Sequence, residues 1–102
     1  MLTSKQRAYL RSLAMTEDTI VIIGKGGITE NVITQVRDAL KARELVKGKV
    51  LENSLLSSRE ACEALAEACR AQTVQSIGSK FVLYKRNETD PKIELPKSKK
   101  SK

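Results

Sequence analysis

Apolar residues recur along this chain at two spacings, and the two spacings alternate. Apolar positions three and four apart predict amphipathic helices that end near residues 14, 42 and 70. Short apolar segments predict strands over residues 19–23, 45–51, 73–77 and 80–86, with Gly78 and Ser79 as the turn between the last two. Alternating helices and strands favour parallel pairing, whereas a closing strand pair favours an antiparallel hairpin. We therefore predict an α/β fold in the order α-β-α-β-α-β-β, with a mixed four-stranded sheet packed with helices.

Polar residues mark where each predicted helix begins. Thr3 or Ser4 can cap the first helix, and Thr29 can cap the second, which starts near residue 30. Ser57 and Glu60 have the spacing of a capping box at the start of the third helix. With the first helix in this register, three side chains turn inward: Leu10, Leu13 and Ala14.

The most informative segment joins the first predicted strand to the second predicted helix. Residues 20–23 form an uninterrupted apolar run, which predicts a buried strand and is followed by Gly24, Lys25, Gly26, Gly27 and Ile28. Backbone N–H groups and the positive end of a helix dipole face outward together at such a junction, which favours binding of an anion. The N–H groups of residues 25–28 would hold a phosphate, and Lys25 adds a positive charge. This glycine loop is therefore the first candidate binding site.

Several interpretations of the glycine loop compete. A dinucleotide-binding fingerprint needs a third glycine where Thr29 stands, and a P-loop needs a Gly-Lys-Ser/Thr ending that this loop lacks. The glycines could simply permit a tight turn between strand and helix. They could also let a nucleic-acid backbone approach closely, as in the GxxG loop of KH domains. The loop by itself leaves the tight turn and the phosphate clamp open.

Composition is typical of a soluble, single-domain protein. The chain has 102 residues, of which 40% are hydrophobic and 30% charged. The longest apolar run is too short for a membrane span and the first residues lack a signal-peptide core, so we expect a cytoplasmic protein without membrane contact. The formal charge of +7 favours a nucleic-acid phosphate as the anion, over the other meanings of a basic balance, which are a membrane surface or solubility. We predict a domain over residues 1–96 and a basic, disordered tail over residues 97–102, which hold four lysines.

The residue inventory argues against catalysis. Histidine is absent, which removes the commonest general base and most zinc sites. Cys62 and Cys69 lie seven residues apart on a predicted helix, roughly 10 Å, which is too far for a disulfide. We interpret both as small core residues. With no paired acids or metal-ligand cluster at a plausible spacing, we predict a protein without enzymatic activity, metal or cofactor.

Further basic residues extend the candidate footprint for a nucleic acid. They lie on the exposed side of the first helix and on strands: Lys5, Arg7, Arg11, Lys47, Lys49, Lys85 and Arg86. The aromatic residues are only Tyr9, Phe81 and Tyr84, and the last two fall in opposite phases of one strand, so at least one belongs to the core. Stacking groups are therefore few, and we expect phosphate contacts to drive binding.

Several short motifs occur in an order that resembles a known family. They are Thr3-Ser4-Lys5-Gln6-Arg7, Ile23-Gly24-Lys25-Gly26-Gly27-Ile28-Thr29, Glu44-Leu45-Val46-Lys47, Val82-Leu83-Tyr84-Lys85-Arg86 and Ile93-Glu94-Leu95-Pro96. Together they resemble the CRM-domain (chloroplast RNA splicing and ribosome maturation) family in its bacterial stand-alone, YhbY-like form. The chain departs from the family pattern at Thr19, where a proline is usual, and at Gly48, where an apolar residue is usual. Gly48 predicts a bulge or a close backbone contact in the second strand.

The resemblance implies a function as well as a fold. It implies RNA binding, a core fold shared with the C-terminal domain of translation initiation factor three, and association with precursors of the large ribosomal subunit. It also implies that the RNA-binding GxxG loop is Gly24, Lys25, Gly26 and Gly27. We therefore predict a monomeric protein that binds ribosomal RNA. A protein-interaction module on the ribosome and a DNA-binding factor stay open as alternatives.

Overall fold

A computed structural model describes residues 2–87, 89, 93 and 95. Its elements follow the predicted order, with each boundary within two residues of the prediction. They are α1 (Ser4–Ala14), β1 (Thr19–Ile23), α2 (Glu30–Arg43), β2 (Leu45–Val50), α3 (Ser58–Cys69), β3 (Gln72–Ile77) and β4 (Lys80–Tyr84). The predicted tail over residues 97–102 lies outside the described residues.

The four strands form one mixed sheet in the order β1-β2-β4-β3. β1 and β2 pair in parallel and are connected through α2, whereas β4 pairs antiparallel with both β2 and β3. This arrangement confirms the predicted combination of a parallel pair and a closing hairpin. It also makes β1, which leads into the glycine loop, an edge strand.

The predicted caps fix where the helices begin. The Thr3 hydroxyl accepts a hydrogen bond from the Gln6 N–H, and the Gln6 side chain accepts one from the Thr3 N–H, which completes a capping box. Ser57 and Glu60 form the same reciprocal pair at α3. Each box satisfies backbone donors that the first helical turn leaves open. The sequence therefore specified the helix starts locally.

The sheet buries its two faces under different elements. α2 and α3 cover one face, here called the covered face, whose largest buried side chain is Phe81. The other face, here called the α1 face, packs Leu45, Val74, Val82 and Tyr84 against Leu10 and Ala14 of α1. Alternation along β4 sends Phe81 to the first core and Tyr84 to the second. Both aromatic side chains are thus core residues.

Gly48 makes the close contact that its position in the sequence predicted. A Cβ at this position would overlap with the ring of Phe81, so a side chain here would collide with it. The pairing of β1 with β2 also shifts register beside it, between Thr19 and Val21. The ring of Phe81 therefore occupies the space that a side chain at residue 48 would take in the covered core.

The prediction of a buried first strand is correct for one face only. Val21 and Ile23 are fully buried, but Ile22 between them is 54% exposed. Alternation places Ile22 on the α1 face, and β1 is the edge strand farthest from β3 in that sheet. The four-residue apolar run therefore supplies two core residues, the partly buried Ile20 that packs against that core, and one exposed isoleucine.

Candidate nucleic-acid interface

The glycine loop is a short turn fixed at both of its ends. The Gly27 N–H donates to the Gly24 carbonyl at 3.0 Å, which closes the turn after β1. Gly27 has a φ of +73°, a conformation that favours glycine. Thr29 caps α2, as predicted, because its hydroxyl accepts a hydrogen bond from the Val32 N–H at 3.2 Å. The loop backbone is therefore held in place at the N-terminus of α2.

Closing the turn changes which loop donors can face a ligand. The N–H of Gly27 is occupied within the turn, which corrects the expectation that all four N–H groups of residues 25–28 are available. Within the described part of the chain, the N–H groups of Lys25, Gly26 and Ile28 donate to no protein acceptor. Three loop donors therefore accompany the positive end of the α2 dipole.

The middle of the glycine loop is open to its surroundings. A Cβ at Gly26 would meet nothing within 4 Å, and Lys25 beside it is exposed. Gly24 is closer to the protein, since a Cβ there would lie 3.6 Å from Cδ1 of Leu51. The loop thus presents a bare backbone and one exposed lysine on its outer side.

Several chain reversals meet at one end of the sheet, where β1 and β2 finish and β4 begins. This end carries the glycine loop, and we call it the loop edge. The Leu51 N–H donates to the Ile23 carbonyl at 2.8 Å, so the segment after β2 runs beside the loop. The Ser58 hydroxyl donates to the Gly78 carbonyl at 2.8 Å and ties the start of α3 to the turn between β3 and β4. The N-termini of α2 and α3 therefore both open at the loop edge.

Three of the predicted basic residues lie on the α1 face. Lys49 is exposed and stands in β2 beside Ile22, two residues before the loop begins. Lys47 is half-buried, and its ammonium donates to the Ala14 carbonyl at 3.2 Å, at the C-terminal end of α1. Arg11 lines a cavity of about 120 Å³ together with Lys47. These three side chains share a face that adjoins the loop edge.

The other predicted basic residues lie elsewhere. Lys5 is exposed in the first turn of α1, and Arg7 lines a separate cavity of about 320 Å³ that α3 also borders. Lys85 and Arg86 follow β4 at the opposite end of the sheet from the loop edge. Five residues of extended strand separate Lys85 from Lys80, which is roughly 16 Å. The Lys85 ammonium donates to the Cys69 carbonyl at 3.1 Å, at the C-terminal end of α3. The predicted footprint therefore consists of separate groups.

Sequence reasoning missed two charged residues that the structure singles out. Lys80 is the cross-strand partner of Lys49, a relation that depends on the pairing of β2 with β4. Glu44 is fully buried in a left-handed conformation after α2, with a φ of 66°. Its carboxylate accepts hydrogen bonds of 2.6 Å from the N–H groups of Asn87 and Ile93. No local pattern marks either role, because the partners come from distant parts of the chain.

The two cysteines are core residues, as predicted. Both are free and buried on α3. Burial, with a smaller contribution from Glu63, raises the pKa of the Cys62 thiol to about 11, and burial also raises the pKa of Cys69. Neither thiol is activated at neutral pH. Among the described residues, no group of three or more His, Cys, Asp or Glu side chains is placed to hold a metal ion.

Taken together, these features define a small, basic α/β domain with an open glycine loop beside a lysine-bearing sheet face. No helix in the described ranges has the length and apolar character needed to cross a membrane. Residues 2–85 match the CRS1/YhbY (CRM) domain, and the chain belongs to this family.

Similar proteins include two bacterial relatives and one solved structure. The "Probable RNA-binding protein YqeI" of Bacillus subtilis is 46% identical, over 94% of this chain and 100% of the relative. An RNA-binding protein of Haemophilus influenzae is 34% identical, over 94% of this chain and 96% of the relative. The solution structure of the hypothetical protein SAV1595 from Staphylococcus aureus, a candidate RNA binding protein, has 51% identity and a TM-score of 0.78. The match with this solved structure covers 94% of this chain and 100% of the solved chain.

Proposed function

We propose that this protein binds RNA through the glycine loop, without catalysing a reaction. Membership of the CRM family and the names of its relatives support RNA as the ligand. The excess of basic residues supports a polyanion. In this proposal the three open N–H groups and the α2 dipole hold one phosphate, and the Lys25 ammonium pairs with that phosphate or the next.

The observation that carries the proposal is the environment of Gly26. A tight turn accounts for glycine at Gly27, where φ is positive, but the same turn does not require glycine at Gly26, where a side chain would have open space. A ligand backbone that approaches the loop does require it, because any side chain there would hold the ligand away. Gly26 therefore favours the phosphate clamp over the plain turn.

We further propose that the RNA is ribosomal RNA of large-subunit precursors, as the family resemblance implies. The protein would act as a cytoplasmic monomer that shields or shapes immature RNA. Copurification with precursor particles, lost after nuclease treatment, is the expected result. Retention after nuclease treatment would favour the protein-interaction alternative, and equal competition by duplex DNA would favour a general nucleic-acid binder.

The test of the loop is a gel-shift titration with the Gly26→Asp variant and structured ribosomal RNA fragments. A carboxylate in the open space at Gly26 would repel the phosphate, so we expect affinity to fall by about tenfold or more, with an unchanged melting temperature. The Gly26→Asn variant is the matched control, because it adds the same volume without charge and should retain more affinity. A folded Gly26→Asp variant that binds like the wild type would exclude the loop as the clamp.

Salt dependence provides a second measurement on the unmodified protein. Neutralising about four phosphates of a single strand gives a slope of log K against log salt near −3. The same titrations at several salt concentrations measure this slope. An affinity independent of salt would contradict a binding mode based on phosphates.

A further inference from the structure

One row of side chains crosses all four strands on the α1 face, next to the glycine loop. The strand register places Ile22 beside Lys49, Lys49 beside Lys80, and Lys80 beside Ile77. We call these four residues the open row. All four side chains are exposed, Ile22 to 54% and Ile77 to 65%. The core that α1 covers starts at the next row of the sheet, which contains Val82 and lies farther from the loop edge. The open row is therefore a mixed basic and apolar surface.

The two lysines of the open row repel each other in the free protein. Lys49 and Lys80 are direct antiparallel partners, which brings their Cβ atoms to about 5 Å and makes like charges destabilising. Within the part of the chain that the structure describes, neither side chain has an ion pair or a hydrogen bond. A bound anion between the two ammonium groups would remove this repulsion.

A cavity of about 120 Å³ extends the open row toward the end of α1. Its lining includes Arg11, Lys47 and Lys80 and, among the residues that the structure describes, no acidic residue. Met15 and Ile77 supply apolar walls, and Met15 is 80% exposed. A cleft lined by charges of one sign concentrates its field on an entering ligand of the opposite sign. The ligand that complements this cavity is therefore anionic with apolar parts.

We propose that the open row and this cavity bind an unpaired, single-stranded segment of the RNA whose neighbouring phosphate occupies the glycine loop. This inference rests on the proposed function. Continuity supports it, because the loop begins two residues after Ile22 on the same strand. Lys49 and Lys80 take phosphates, while Ile22, Ile77 and Met15 pack against bases. Bases in a duplex face one another, so only unpaired bases can cover these aliphatic side chains.

The test compares an unstructured oligouridylate with a blunt-ended RNA duplex of equal phosphate number. Lys80→Gln should weaken binding of the single strand about fivefold and reduce its salt slope by about 0.7. The paired variants Ile22→Thr and Ile77→Thr retain β-branched residues and should weaken the single strand by about threefold without changing the slope. Duplex binding should change less in the isoleucine variants, because their effect depends on contacts with unpaired bases.

The matched control is Arg70→Gln, which removes one charge at the exposed end of α3, away from the loop edge. If Lys80→Gln behaves like this control while Gly26→Asp still lowers affinity by about tenfold or more, the open row is not an RNA site and the loop proposal stands. If Gly26→Asp also binds normally, the proposed function itself fails. If the isoleucine variants bind RNA like the wild type but lose proteins that copurify with the wild type after nuclease treatment, the open row binds a protein segment instead.

Discussion

The same four strands form both faces of the sheet, but the two faces are covered to different extents. On the covered face, α2 and α3 enclose Val21, Ile23 and Phe81 completely. On the α1 face, an eleven-residue helix packs over Val82 and Tyr84, while Ile22 stays exposed. Because a sheet alternates its side chains, one strand can stabilise the fold with half of its residues and present the other half to a ligand. Under our proposal for the open row, this difference separates folding from binding in this small domain.

Adding volume on the covered face should produce the largest loss of stability. Gly48→Val would force a branched side chain into the ring of Phe81, and we expect a loss of about 3 kcal/mol in the free energy of unfolding. Urea denaturation measures it. The neighbouring Lys49→Val variant places the same side chain on the exposed α1 face and should stay within about 0.5 kcal/mol of the wild type.

A compensating substitution sharpens this prediction. Combining Gly48→Val with Phe81→Leu removes part of the ring that the valine would strike, so the double variant should be more stable than Gly48→Val alone. Equal stability of the wild type and the single variant would mean that the close approach of Phe81 does not limit residue choice at Gly48.

The second prediction concerns the buried carboxylate that holds the residues after β4. Glu44→Gln removes the charge that accepts hydrogen bonds from the N–H groups of Asn87 and Ile93, and we expect a loss of about 2 kcal/mol. Thermal unfolding followed by circular dichroism measures it. Glu67→Gln, on the exposed side of α3, is the control and should change little. Similar small shifts in both variants would contradict an anchoring role for Glu44.

The smallest effect should come from pH and should again involve the covered face. Burial raises the pKa of Cys62 from 9.0 to about 11, so the native thiol holds its proton more tightly than the unfolded thiol. The stability that this contributes is complete below pH 9.0 and is lost as the pH rises through about 11.

By about pH 10, midway through this range, the expected loss is about 1 kcal/mol. Unfolding free energies measured from neutral to alkaline pH should fall less for Cys62→Ala than for the wild type. Cys69 and Tyr84 also have raised pKa values and give both proteins a shared decline. Parallel profiles of unfolding free energy against pH for the two proteins would exclude Cys62 as a contributor to the pH dependence of stability.

How much the sequence could predict differs between fold and site. The spacing of apolar residues and the caps at Thr3, Thr29 and Ser57 predicted every element within two residues. The glycine loop was also found from sequence, because its strand, glycines and helix cap are consecutive. The open row was not found, because Lys80 becomes a neighbour of Lys49 only when β4 inserts between β2 and β3.

The sequence by itself determined the helices, the strands, the loop chemistry and the excess of positive charge, since each depends on residues near one another in the chain. Only the tertiary structure decided that Ile22 is exposed, that Glu44 anchors distant backbone donors, and that Lys85 lies at the edge opposite the loop. These outcomes depend on which strands pair and how far α1 extends across them. Such relations arise from packing between distant segments, which no local spacing encodes.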